Sequence, residues 1–96
     1  MSTPPTRRLA TRRLATRRLA TRRLVTRALH RVAPEADLAA VHDAAGLQAE
    51  LDLDSLDFLN FVVALQELTG RAIPEQDYPQ LASLGGCVTY LEREEQ

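Results

Sequence analysis

The chain has 96 residues, 45% of them hydrophobic, with no Trp, two Tyr and two Phe, so we expect one small domain with an aliphatic core. The net charge of −1 is unevenly distributed: residues 1–31 hold ten arginines and no acidic residue, whereas residues 32–96 hold two arginines and thirteen acidic residues. A single cysteine excludes an internal disulfide, and no apolar run approaches the roughly 18 residues that a membrane span needs, so we expect a soluble, cytoplasmic protein.

The basic segment at the N-terminus, residues 1–21, is an Arg-rich repeat that we call the arm. Thr-Arg-Arg-Leu-Ala begins at Thr6, Thr11 and Thr16. Because five residues advance an α-helix by about 140° net, the leucines spiral around the axis, which excludes a heptad coiled coil. Arg, Leu and Ala favour helix, so the arm is predicted to be a solvated helix or disordered, with Pro4 and Pro5 stopping the helix upstream.

Four interpretations of the arm stay open. Its arginines could neutralise the phosphates of nucleic acid or of anionic lipid, and its composition is also that of an organellar transit peptide. The arm has no aromatic residue for base stacking and no fixed apolar face for a membrane. The fourth interpretation is a solvated extension without a ligand.

The domain is predicted to span residues 22–93, with residues 94–96 as a C-terminal tail. Val25, Ala28, Leu29 and Val32 have the spacing of a first amphipathic helix, which Pro34 ends. Residues 35–54 show no sustained period and are expected to form a long loop held by apolar side chains.

A second helix is predicted from Ser55 to Thr69, ending at Gly70. It carries two apolar stripes. One consists of Phe58, Phe61, Val62, Leu65 and Leu68, and the other of Leu56, Leu59 and Val63. We expect the first stripe to face the core and the second to form a semi-exposed surface for a partner, with Asp57, Asn60 and Glu67 as its polar rim.

The rest of the chain predicts one short and one regular helix. Pro79 limits Glu75 to Leu81 to a short helical turn, and Ser83 is a suitable N-cap for the last helix. That helix repeats apolar residues at Leu84, Cys87, Val88 and Leu91, so Cys87 is predicted to lie in the core. His30 and His42 are expected on a helix surface and in a loop, and no metal site is predicted.

The segment Leu53-Asp54-Ser55-Leu56-Asp57, which opens an apolar helix after a long loop, resembles the attachment motif of acyl and peptidyl carrier proteins. Downstream, Ile73-Pro74-Glu75, Asp77, Leu81, Ser83-Leu84, Val88 and Tyr90-Leu91 are similar to the third and fourth helices of that family. The family often has Glu at the position of Asn60, and this difference bears on partners that use the carboxylate.

The resemblance implies an all-α, acyl-carrier-protein-like four-helix bundle with a short third helix and a long loop between the first two. It also implies that Ser55 receives a covalent 4'-phosphopantetheine group carrying acyl or aminoacyl intermediates as thioesters, for fatty acid, polyketide or related biosynthesis. The residues themselves agree with this, because a serine in the first turn of a helix places a phosphodiester beside unpaired N–H groups.

The implied partners are a phosphopantetheinyl transferase and the enzymes that load and process acyl groups, acting on a monomer. Their predicted docking surface consists of Asp54, Leu56, Asp57, Leu59, Asn60, Val63 and Glu67. No catalytic residue is predicted, so the chain is expected to be a carrier rather than an enzyme. Two alternatives stay open: an unmodified interaction module with the carrier fold, and a nucleic-acid-binding protein that acts through the arm.

Overall fold

The computed structural model describes residues 5–94 of the chain and the side chains of residues 13–93. Its helices are α1 (Pro5–Val32), α2 (Leu47–Glu50), α3 (Ser55–Thr69) and α4 (Leu84–Glu94), with 3-10 helices at Leu38–Ala40 and Glu75–Leu81. This part of the chain contains no strand, and the predicted all-α fold is confirmed. Pro4 and the end of the predicted tail lie outside the described residues.

Helix α1 joins the arm to the domain without a break. The side chains of residues 13–20 are exposed, and Thr21 is the first described side chain that is buried. After Thr21 the predicted apolar stripe of the first helix faces the core: Val25, Ala28 and Leu29 are fully buried. The division of the chain into an arm and a domain at residues 21 and 22 stays a prediction.

The segment between α1 and α3 is more regular than the sequence predicts. Instead of an irregular loop, it contains the 3-10 turn and the single helical turn α2. The apolar side chains of Leu38, Val41, Leu47 and Leu53 are buried, as expected for a segment held by such residues. Long-range backbone bonds also hold it, since Leu47 N–H donates to the carbonyl of Ala82 at 2.8 Å.

The core lies between α1, α3 and α4. From α3 it takes Phe61, Val62, Ala64 and Leu65, and from α4 it takes Leu84, Cys87, Val88, Tyr90 and Leu91. Phe58 and Leu68 pack partly buried against it, so the first predicted stripe of α3 faces the core. Helix α4 lies close to the loop because Gly85 has no Cβ, which would lie 3.2 Å from the carbonyl oxygen of Asp43.

None of the helices described here is long and apolar enough to cross a membrane. Helix α1 has the length, but its arginines recur in every five-residue repeat.

Candidate functional site

Ser55 is the first residue of α3, and its side chain is exposed. The chain reaches it through a tight turn in which Asp52 adopts a positive φ of 53°. Leu53 is then buried, which anchors the backbone immediately before the helix. The sequence therefore places the hydroxyl of Ser55 at a fixed point on the surface, at the end of a helix that is packed in the core.

A capping box closes the N-terminus of α3 around Ser55. The N–H of Asp57 donates to the carboxylate of Asp54 at 2.8 Å, and the N–H of Asp54 donates to the carboxylate of Asp57 at 3.2 Å. In this geometry both carboxylates also lie at the positive end of the helix dipole. Both carboxylates are thus bound to backbone N–H groups on either side of the serine.

The first turn of α3 fits a phosphodiester on Ser55. The N–H groups of Ser55 and Leu56 donate to no other residue that the structure describes, so they remain available to an anion. The carboxylates of Asp54 and Asp57 would repel a phosphate, and the two N–H groups and the positive end of the helix dipole act against this repulsion. A covalent ester needs no binding energy to stay in place, so an exposed hydroxyl with two free N–H donors beside it is sufficient.

The second stripe of α3 forms an exposed apolar surface next to Ser55. Leu56, Leu59 and Val63 are 64%, 45% and 48% exposed, and we call these three residues the outer face of α3. They are large apolar side chains on a helix whose opposite side is buried. Their predicted exposure is confirmed, whereas their contact with a partner stays a prediction.

The predicted polar rim is present, and one of its members is already paired. Asn60 and Glu67 are exposed and Asp57 is half-buried. The guanidinium of Arg31, at the end of α1, donates to the carboxylate of Glu67 at 2.7 Å. The rim is therefore less negative than the sequence of α3 alone indicates.

Sequence reasoning missed Arg31 as a member of this surface. Together with Asp57, Asn60, Val63 and Glu67 it lines a shallow groove of about 370 Å³ between α1 and α3. In the sequence Arg31 is the last of ten arginines in the basic segment, and nothing distinguishes it from the others. Only the packing of α1 against α3 shows that it lies beside the predicted docking surface.

The remaining side chains of reactive types are one cysteine and two histidines. Cys87 is fully buried, as predicted, and burial raises the pKa of its thiol to about 12. His30 is exposed on α1 and His42 is exposed in the loop, as expected. Among the described residues, no group of His, Cys, Asp and Glu side chains could hold a metal ion.

Comparisons with known proteins point to one family. The family model described as "Phosphopantetheine attachment site" matches residues 22–91. Over 52 residues the chain is 38% identical to acyl carrier protein 2 of Ralstonia nicotianae, covering 54% of this chain and 64% of that protein. It is 39% identical over 44 residues to an acyl carrier protein of Lactobacillus johnsonii, covering 46% and 55%. An acyl carrier protein of Helicobacter pylori is 34% identical over 56 residues, covering 58% and 72%. The chain thus spans less than two thirds of the length of the first two relatives.

Proposed function

The chain belongs to the family of phosphopantetheine attachment sites, and from this premise we propose that it is an acyl carrier whose prosthetic group is attached to Ser55. The observation that carries the proposal is the exposed hydroxyl of Ser55 at the capped N-terminus of α3, beside two unpaired N–H groups. Ser83 is the other serine within the matched residues, and its hydroxyl oxygen accepts a bond from the N–H of Gly86.

The chain's own residues position the phosphopantetheine group and leave its attachment point exposed to solvent. Leu53 anchors the backbone before the helix, and Asp54 fixes the first turn, so Ser55 presents its oxygen to a transferase in one orientation. When attached, phosphopantetheine supplies a terminal thiol that holds acyl groups as thioesters. Cys87 cannot substitute for that thiol, because it is buried and its pKa is raised to about 12.

The proposed partners dock on the outer face of α3 and its rim. Leu56 and Leu59 supply apolar contact beside the attachment point, and the carboxylates of Asp54 and Asp57 attract basic enzyme surfaces. Asn60 contributes a neutral hydrogen-bonding group. The partners are a phosphopantetheinyl transferase and the enzymes that load and process the acyl group.

The relatives favour an acyl cargo over an aminoacyl one, because the three relatives named above are acyl carrier proteins. We propose fatty acid or polyketide biosynthesis as the pathway and the cytoplasm as its location. Carrying the cargo requires no catalytic group from this chain, since the enzymes act on a thioester that the domain only presents.

The proposal is tested by incubating the protein with coenzyme A, Mg²⁺ and a broad-specificity phosphopantetheinyl transferase and measuring the intact mass. We expect wild type and Ser83→Ala to gain one phosphopantetheinyl unit and Ser55→Ala to gain none. Circular dichroism should show that Ser55→Ala keeps its helices, because the substitution removes only an exposed oxygen. A folded wild type that several transferases leave unmodified would refute the proposal and favour an unmodified interaction module.

A further inference from the structure

A groove of about 580 Å³ lies at the C-terminal end of α1, on the side of the molecule away from the arm. The turn after α1, the 3-10 turn and the end of α2 enclose it. Its floor is apolar: Val41 is buried, and Ala36 and Leu51 are partly buried against the core. The rim consists of four exposed acidic residues, Glu35, Asp37, Glu50 and Asp52. We call the floor and rim together the acidic groove.

The rim carboxylates form no ion pair with any residue that the structure describes, whereas other acidic residues of the domain do. Glu92 binds Arg18 at 3.3 Å, and Glu67 binds Arg31 at 2.7 Å. These pairs use the arginines of α1 that lie against the domain. The acidic groove lies beyond the C-terminal end of α1, and Arg31, the arginine of α1 nearest to it along the chain, is paired with Glu67. Its negative charge is therefore left without a cation.

The arm has the complementary chemistry. Each repeat places two arginines directly before a leucine, and the described leucines of the arm, Leu14 and Leu19, are 56% and 49% exposed. Guanidinium groups can bind the rim carboxylates while a leucine side chain covers the apolar floor. Single exposed ion pairs contribute little, so the complementarity depends on several pairs and an apolar contact forming together.

The arm cannot reach the acidic groove of its own chain. The arm forms the N-terminal part of α1 and the groove lies at its C-terminal end. Helix α1 is unbroken from Pro5 to Val32. At a rise of 1.5 Å per residue, Arg13 lies about 28 Å along the axis from the end of that helix, and the repeats before it lie farther away. The contact is therefore possible only between two copies of the chain.

We propose that the arm of one copy binds the acidic groove of a second copy. This interaction does not depend on the carrier role, and it replaces the monomer expected from the sequence with a salt-sensitive association. Two copies that exchange arms form a closed dimer, and copies that bind in one direction form a chain. A lipid surface is a poorer occupant for the arm, because successive leucines lie about 140° apart and form no continuous apolar face.

Sedimentation velocity of the full-length protein tests the proposal. After nuclease treatment, wild type at low salt should sediment faster with rising concentration. The dissociation constant should rise at least about tenfold between 0.03 and 0.3 M salt, because the shorter Debye length weakens the attraction between the charges.

Two charge-reversed variants make the test specific. One replaces the four arginines from Arg7 to Arg13 with Glu, which keeps the helix propensity of the arm. The other replaces Glu35, Asp37 and Glu50 with Arg and leaves Asp52 in its positive-φ turn. Each variant alone should be monomeric, since its arm and its groove then carry the same sign of charge. The equimolar mixture should associate again, because each arm now meets a groove of opposite sign.

A neutral variant, Glu35→Gln with Asp37→Asn and Glu50→Gln, should weaken the association without reversing charge, and circular dichroism verifies its fold. Recovery of association in the mixture of reversed variants supports the proposal, because misfolded chains would not recover it. A monomeric wild type at low salt would overturn the proposal. So would association of either reversed variant alone. Association that disappears on nuclease treatment would also overturn it and would identify nucleic acid as the ligand of the arm.

Discussion

The two faces of α3 have similar apolar residues but opposite surroundings. Phe61, Val62 and Leu65 form its inner face and are at most 1% exposed, whereas Leu59 and Val63 on the outer face are almost half exposed. Spacing alone gives both stripes the pattern of a buried face, and the small size of the domain is the reason to expect the second stripe to be semi-exposed. The difference shows that the core of this small domain takes one side of the helix and leaves the other apolar side exposed, which is where we propose that a partner docks.

The largest expected effect on stability comes from truncating a side chain on the inner face of α3. Phe61→Ala should lower the free energy of unfolding by about 3–5 kcal/mol, because it leaves a cavity that the packed helices cannot fill. Urea denaturation followed by circular dichroism measures it. A loss of less than about 1 kcal/mol would mean that the inner face is not the core of the domain.

The second effect uses pH to probe the same core. Burial raises the pKa of Cys87 to about 12 from 9.0, so the folded state retains its proton at a pH at which the unfolded chain loses it. The contribution to stability is fully present below pH 9.0 and is lost as the pH rises toward about 12.

The free energy of unfolding of wild type should therefore fall relative to that of Cys87→Ala by on the order of 1 kcal/mol per pH unit in that window. Denaturation of both proteins at several pH values measures the difference. Parallel pH profiles would show that the thiol is accessible to water in the folded protein.

The third effect concerns Asp54, the N-cap residue of α3. Asp54→Ala removes the cap and should cost about 1 kcal/mol, whereas Asp54→Asn keeps a capping oxygen and should cost a few tenths. Thermal denaturation of the two variants compares them. Equal losses would indicate that the negative charge of Asp54, rather than its hydrogen bond to Asp57, stabilises the helix.

The smallest effect on stability is expected on the outer face. Leu59→Ala or Val63→Ala should change the free energy of unfolding by no more than about 0.5 kcal/mol, since almost half of each residue is already in contact with water. Both should slow modification by the transferase, because they remove contact area beside Ser55. Leu19→Ala is the matched control, with 49% exposure on the arm, and it should leave the rate unchanged.

Equal rates for Leu19→Ala, Leu59→Ala and Val63→Ala would mean that the outer face is not the docking surface of the transferase. Large losses of stability at Leu59 and Val63 would instead show that the face is part of the core.

Much of the fold could be predicted because it is encoded locally. Gly70 ends α3 with a φ of 71°, as the sequence predicts, and the helical spacing placed Cys87 in the core. The motif around Ser55 is also encoded locally, because the capping box and the serine lie within four consecutive residues.

The segment before α3 could not be predicted in this way. Helix α2 has four residues, which is too short to show a period. Its position depends on bonds to distant residues, such as the bond from the N–H of Leu47 to the carbonyl of Ala82. The ion pair between Arg31 and Glu67 was missed for the same reason, since the periodicity of one helix does not identify its neighbour.

The central claim, that Ser55 is the attachment point, is tested most directly by mapping the modified protein with trypsin. No Lys or Arg lies between Arg31 and Arg71, so cleavage releases residues 32–71 with Ser55 as their only serine, and residues 72–93 with Ser83. We predict that after incubation with coenzyme A and a transferase the first fragment carries the entire added mass and the second carries none. Added mass on the second fragment, or no added mass on a folded protein, would contradict the account.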